Sequence, residues 1–193
     1  MARARTDTEP ASATDAEDQR DAALAAGGDG EAYARIVRRH QGAVAGWMWR
    51  FTRDPGEQRE LVQDVFVQAY TSLPRYRGDG PFGHWLHKIA VRAGYAFWRE
   101  RARRTRERGL DAEDLERLAE DPADAGAAEA AEVVARVLER LPPRDRAVLT
   151  LLYLEEKTVA EAADLLGWSR SMVKVQAWRA RAKVRILLGG GGP

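Results

Sequence analysis

Apolar residues in this chain recur every three or four positions and never alternate convincingly, a spacing that builds helices and leaves no strand to form a sheet. Tyr33, Ile36, Val37, His40, Val44, Trp47, Met48 and Phe51 fall on one stripe, which Asp54-Pro55-Gly56 ends. A second helix starts near Glu57 and buries Val62, Val65, Phe66, Ala69 and Leu73 before Pro74. After a Gly-Asp-Gly loop, a third begins near Pro81, a residue suited to a first helical turn. It buries Phe82, Trp85, Leu86, Ile89, Ala93 and Phe97, and these three helices suffice to close one core. Farther on, Val134, Val137, Leu138 and Leu141 form a stripe that stops at Pro142-Pro143, and another helix spans about 144–154. The expected fold is all-α, with two small helical domains, the first of three or four helices.

Charge separates the pieces. Residues 84–108 carry +6, residues 109–132 carry −8, and residues 168–193 carry +6, although the whole chain is only +1. Two basic blocks held apart by an acidic one suit a polyanion touched at two places. The reading therefore gives an acidic, disordered arm over 1–30 with at most a short helix around 16–26, and a hinge at Gly27–Gly30. The first domain spans 31–108, an acidic linker 109–132, the second domain 133–188, and a flexible tail 189–193. The absence of cysteine excludes disulfides, a thiol nucleophile and cysteine-based metal sites. No apolar run approaches a membrane span and the polar N-terminus has no signal-peptide core, so a cytoplasmic location is expected.

Residues 158–178 have the layout of a helix-turn-helix. Thr158 opens a short helix with Glu161 three residues on, the pattern of a capping box. Ala163 is small where the helices cross, Gly167 permits the turn, and Val173 packs the second helix on the first. On the second helix Val173, Ala177, Ala180 and Val184 share the inner face. Ser169, Arg170, Ser171, Lys174, Val175, Trp178 and Arg179 are left for the outer one. Short polar groups near the N-terminus suit base edges, and flanking cations suit phosphates. Trp178 fits either a thymine methyl or a packed surface. Arg181, Lys183 and Arg185 add candidate phosphate contacts.

The first domain carries a different basic surface. Lys88, Arg92, Tyr95 and Arg99 recur on one helix face, preceded by the loop Arg75-Tyr76-Arg77 and by Phe82 and Trp85. Aromatics interleaved with cations suit unstacked bases, which duplex DNA does not offer; Tyr76 and Phe82 fit the core equally well. On the second helix Glu60, Gln63, Asp64, Val67 and Thr71 share an exposed face, where Val67 marks either a docking surface or an ordinary exposed side chain. His84 and His87 stand three apart, without an evident third metal ligand, and no nucleophile–base arrangement or phosphate-binding glycine loop appears. The chain reads as a non-enzyme without metal or other cofactor.

Three motifs together resemble the extracytoplasmic-function class of bacterial sigma factors. The run from Leu61 to Tyr70 resembles that family's core-polymerase-binding helix. Phe82-Gly83-His84-Trp85-Leu86-His87-Lys88-Ile89-Ala90 resembles its promoter-melting signature, and Arg140–Arg146 with the helix-turn-helix resembles its C-terminal domain. The resemblance implies that Glu60, Leu61, Gln63, Asp64 and Val67 dock on the coiled coil of the polymerase's largest subunit. It implies that Arg75, Tyr76, Arg77, Phe82, Trp85, Lys88, Arg92, Tyr95 and Arg99 open and read the −10 element. Thr158, Ser169, Arg170, Ser171, Lys174, Val175, Trp178 and Arg179 would read the −35 element in the major groove. The implied partners are core RNA polymerase, promoter DNA and an anti-sigma factor. Two positions depart from the family pattern: Arg92 stands where Asn is usual, and Val175-Gln176 where Ser-Arg is common. The alternative is a helix-turn-helix regulator that binds duplex operator without polymerase.

Overall fold

A computed structural model of the chain describes residues 13–107 and 127–189. The expected tail beyond Gly189 and most of the linker lie outside the described residues. Among the described residues the structure is helical throughout, in two compact units, residues 1–93 and 94–193, whose boundary falls inside one long helix.

The first unit has α1 (Ala13–Ala26), where the sequence allows only a short helix around 16–26 in an otherwise disordered arm. Its inward face is Asp18, Asp21, Ala22 and Ala25, at helical spacing but with no large apolar residue. Search by hydrophobic periodicity passes over such a face, because ion pairs hold it. Gly27–Gly30 is a turn rather than a hinge. Gly28 takes φ +98°, and Asp29 caps α2 (Gly30–Met48) by accepting from the amides of Glu31 and Ala32 at 2.9 and 3.0 Å. Asp54 caps α3 (Pro55–Ser72) in the same manner, with Pro55 in the first turn. The chain then makes a 3-10 turn over Leu73–Arg75 and enters α4 (Phe82–Glu107).

Ala32, Ile36, Val44 and Met48 of α2 are buried in this unit. So are Leu61, Val65, Phe66 and Ala69 of α3, and Phe82, Leu86, Ala90 and Val91 of α4. The Tyr33 hydroxyl donates to the Phe66 carbonyl, fastening α2 to α3. Val62, Trp85 and Ile89 are half-buried rather than core, and near the end of the stripe the buried aromatic is Trp98 instead of Phe97.

Among the described residues the second unit contains the rest of α4 and four further helices. α5 (Ala127–Glu139) begins six positions earlier than the sequence reading puts it, inside the expected linker. α6 (Pro143–Leu149) widens into a single π turn over Thr150–Leu154. Beyond that turn Glu156 adopts φ +51°, the left-handed conformation that usually falls to glycine, while the Lys157 amide reaches back to the Leu151 carbonyl at 2.9 Å. α7 (Val159–Leu166) has the full capping box: the Thr158 amide donates to Glu161 at 2.8 Å and the Glu161 amide to Thr158 Oγ1 at 3.2 Å. Gly167, at φ +68°, turns the chain into α8 (Arg170–Leu187). Ala162, Ala163, Leu165, Val173, Ala177 and Ala180 close this core, and Val184 is half-buried.

Candidate nucleic-acid and docking surfaces

On α8 the buried stripe fixes what faces outward. Val173, Ala177 and Ala180 point into the unit, which leaves Arg170, Ser171, Lys174, Val175, Trp178 and Arg179 exposed on the opposite side. Trp178 is 66% exposed, more than a packed surface aromatic would be. Two members of the predicted set also hold the fold. The Ser169 hydroxyl accepts from the Met172 amide at 3.2 Å and sits 3.0 Å from the Ser171 hydroxyl; Thr158 is committed to its capping box.

Gln176 and Lys183 both meet a buried carboxylate of α6. The Gln176 side-chain amide donates to one oxygen of Asp145 at 2.6 Å, and the Lys183 ammonium to the other at 2.6 Å. Asp145 is 1% exposed, so α6 and α8 are joined through a buried carboxylate. Lys183 is thus a brace rather than the phosphate contact the sequence suggests. Arg181 donates to the Tyr153 hydroxyl at 2.8 Å, while Arg185 is exposed.

In the first unit an aromatic cluster stands at the mouth of α4. Tyr76 lies edge-on to Phe82 at 5.4 Å between ring centroids, and 5.0 Å from Trp85; Phe82 and Trp85 are 5.1 Å apart. Phe82 is fully buried, which overturns its place among the DNA-contacting residues: it supports the other two from beneath. Tyr76 and Trp85 remain half-buried, each with surface to offer. The Tyr76 hydroxyl donates to the Gly80 carbonyl at 3.1 Å, closing the loop on itself. Burial raises the Tyr76 pKa, and the carboxylates of Asp15, Asp18 and Asp79 add to the shift. Arg75, Arg77 and Arg92 are exposed around the cluster and Lys88 is half-buried.

His84 is exposed while His87 is buried against Trp47, with ring centroids 4.4 Å apart, so the two do not share an environment. Tyr95 and Arg99 fall in the second unit. There the Tyr95 ring meets Trp168 at 6.1 Å, and the Arg99 guanidinium lies 5.9 Å from the Tyr95 centroid. Trp98, which the sequence reading passes over, is buried beneath the Arg146 guanidinium at 4.0 Å.

The exposed face of α3 carries Glu60, Gln63, Asp64 and Val67, the last 54% exposed. Tyr70, absent from the predicted set, continues this face with its ring 4.9 Å from Tyr33. Leu61 is 5% exposed, which corrects its placement on the docking surface: it anchors the helix from the core side. The Thr71 hydroxyl bonds to the backbone of its own helix.

Two family models match this chain. Sigma-70 region 2 covers residues 36–105, and sigma-70 region 4 covers residues 131–184. The RNA polymerase sigma-H factor of Pseudomonas aeruginosa is 30% identical over 166 residues, covering 81% of this chain and 86% of that protein. The ECF RNA polymerase sigma-E factor of Escherichia coli K12 is 28% identical over 171 residues, with coverage of 81% and 86%. Among solved structures, CnrH in complex with the cytosolic domain of CnrY aligns with a TM-score of 0.56 at 29% identity, covering 91% of this chain and 99% of that one. The sigma factor RpoE of Bartonella quintana, in complex with the anti-sigma factor NepR, shares the fold with a TM-score of 0.54 at 19% identity, covering 81% and 96%.

Proposed function

This chain belongs to the extracytoplasmic-function class of sigma-70 factors, which bind core RNA polymerase and direct initiation at specific promoters, and from that premise we propose which of its residues perform each step. Membership sets aside the alternative of a regulator that binds duplex operator without polymerase. The α3 face of Glu60, Gln63, Asp64, Val67 and Tyr70 docks on core polymerase, with Leu61 holding that helix from within. Arg75, Tyr76, Arg77, Trp85, Lys88 and Arg92 receive the melted −10 strand, with Phe82 as their support. Arg170, Ser171, Lys174, Val175, Trp178 and Arg179 read duplex −35 DNA in the major groove, and Ser169 and Thr158 fix the two helix ends that present them. Tyr95 and Arg99 contribute further contacts to promoter DNA.

The observation that carries this assignment is the contrast between the two surfaces. One is a convex helix face with short polar groups and cations, shaped for a groove. The other is a half-buried aromatic cluster ringed by cations, shaped for flat bases. No covalent chemistry is asked of either, so the chain acts as a binding factor and not as an enzyme. Binding energy offsets the unstacking of the −10 bases, on the order of a few kcal/mol per step.

Protein partners of this kind, seen with CnrH and with RpoE, lead us to assign this chain an anti-sigma factor as well, and to place its action in the cytoplasm beside polymerase. Reconstitution with core polymerase and run-off transcription tests the residue assignments. Asp64→Arg abolishes core capture and leaves −35 duplex binding intact. Capture at the unsubstituted level by Asp64→Arg would remove α3 from the docking role.

A further inference from the structure

We propose that Asp18 and His40 are positioning residues for promoter opening: the pair ties the N-terminal helix α1 to Phe82, and through Phe82 sets the placement of Tyr76 and Trp85. The inference rests on the reading above, that the Tyr76–Trp85 cluster receives unstacked bases.

The argument begins with what α1 buries. Its inward face holds two carboxylates and two alanines, too little apolar surface to hold a helix by burial alone. Asp18 is 1% exposed, accepting from Arg39 Nε at 2.8 Å and lying 2.7 Å from His40 Nε2. Asp21 accepts from Arg35 at 2.6 and 3.0 Å and from Arg39 at 2.5 Å. Buried ion pairs of this kind add little net stability over apolar packing, but they are directional. Here the direction is consequential. With its Nε2 held by Asp18, the imidazole ring stands 5.4 Å from the ring of Phe82, tilted by 47°.

Phe82 is the first residue of α4 and has no exposed surface, so it cannot shift without moving what rests on it. Tyr76 and Trp85 rest on it. A second route reaches the same loop, because α1 packs against the 3-10 turn Leu73–Arg75 that hands the chain to Tyr76. Both routes converge on the two aromatic rings with surface to offer a base.

Two substitutions cut the relay at different links. His40→Phe keeps a ring against Phe82 and loses the bond to Asp18. His40→Gln keeps a donor for Asp18 and loses the ring. The full chain is assembled with core polymerase on a linear promoter duplex carrying 2-aminopurine in the non-template strand of the −10 element, and opening is followed by fluorescence. Each variant slows opening about 5-fold. In a Tyr76→Ala background the same substitution slows it less than about 2-fold, because His40 acts through the ring already removed. Core affinity stays unchanged in both variants, and the thermal midpoint stays unchanged in His40→Gln, which keeps a donor for Asp18, so positioning is separated from loss of fold. Equal slowing in both backgrounds, or no slowing by either variant while Tyr76→Ala is slow, overturns the inference. Unchanged opening by Tyr76→Ala overturns the reading of the aromatic cluster, and the inference with it.

Discussion

Among the described residues each unit buries one aspartate at 1% exposure, Asp18 in the first and Asp145 in the second, and each carboxylate is gripped by two side chains of another helix. The grips differ. Asp18 faces Arg39 and His40 within a network that also includes Asp21 and Arg35, so its removal takes a shared partner from two half-buried side chains. Asp145 faces neutral Gln176 and a Lys183 whose side chain is 46% exposed, and both can turn to water. The difference shows how one device serves two ends. In the first unit it supplies a helix with the inward face that its alanines lack. In the second it trims the angle of a helix whose apolar stripe already holds it.

The largest expected effect tests the first half of that comparison. Asp18→Ala should destabilise the first unit by about 3 kcal/mol, the scale of breaking a buried pair, in urea unfolding followed by tryptophan fluorescence. A loss under ~1 kcal/mol would make the network decorative. The network also sets an acid limit. Hydrogen bonding from Arg35 holds the Asp21 carboxyl below its ordinary value of 3.8, opposed by burial and helped by Arg39. Because the folded-state pKa is depressed, this stabilisation is complete above the ordinary carboxylate range and disappears as pH falls below it. Asp21→Asn should therefore flatten the low end of the pH–stability curve.

Asp145→Ala should cost less, about 1–2 kcal/mol, and weaken −35 duplex binding by loosening α8, with Asp145→Asn restoring much of both. If Asp145→Ala costs as much as Asp18→Ala, the contrast between the two grips fails. On the recognition face, Lys174→Ala should lower duplex affinity alike on all sequences and reduce the slope of log affinity against log salt by about 1, in a fluorescence-anisotropy titration. The smallest effect runs the other way. Glu156→Gly relieves a left-handed residue beyond the π turn and should raise the stability of the second unit by about 1 kcal/mol.

The helix-turn-helix was almost wholly legible because its logic is local. Thr158, Glu161, Gly167, Val173, Ala177 and Ala180 all lie within residues 158–180, and capping, turn and stripe each constrain neighbours in sequence. Exposure on α8 follows from that stripe without knowledge of anything distant. The first unit was legible in its helices and less so in its surfaces. Phe82 and Leu61 sit inside motifs that suggest contact, and only the packing of α2 against α3 and α4 turns them inward. The signal for α1 was present as Asp18, Asp21, Ala22 and Ala25 at helical spacing, but acids at such positions read as a solvated face until their partners at 35, 39 and 40 are known.

The sequence by itself determined the class of fold, the placement of the major helices and the three motifs, because propensity, capping and apolar period act over a few residues. Tertiary structure alone decided which polar residues are buried. A carboxylate enters a core only when specific donors from another helix meet it, and chain separations such as 18 to 40 or 145 to 183 leave no trace in local pattern. The residues that join helices through a buried carboxylate, Asp18, His40, Gln176 and Asp145, all belong to that second kind.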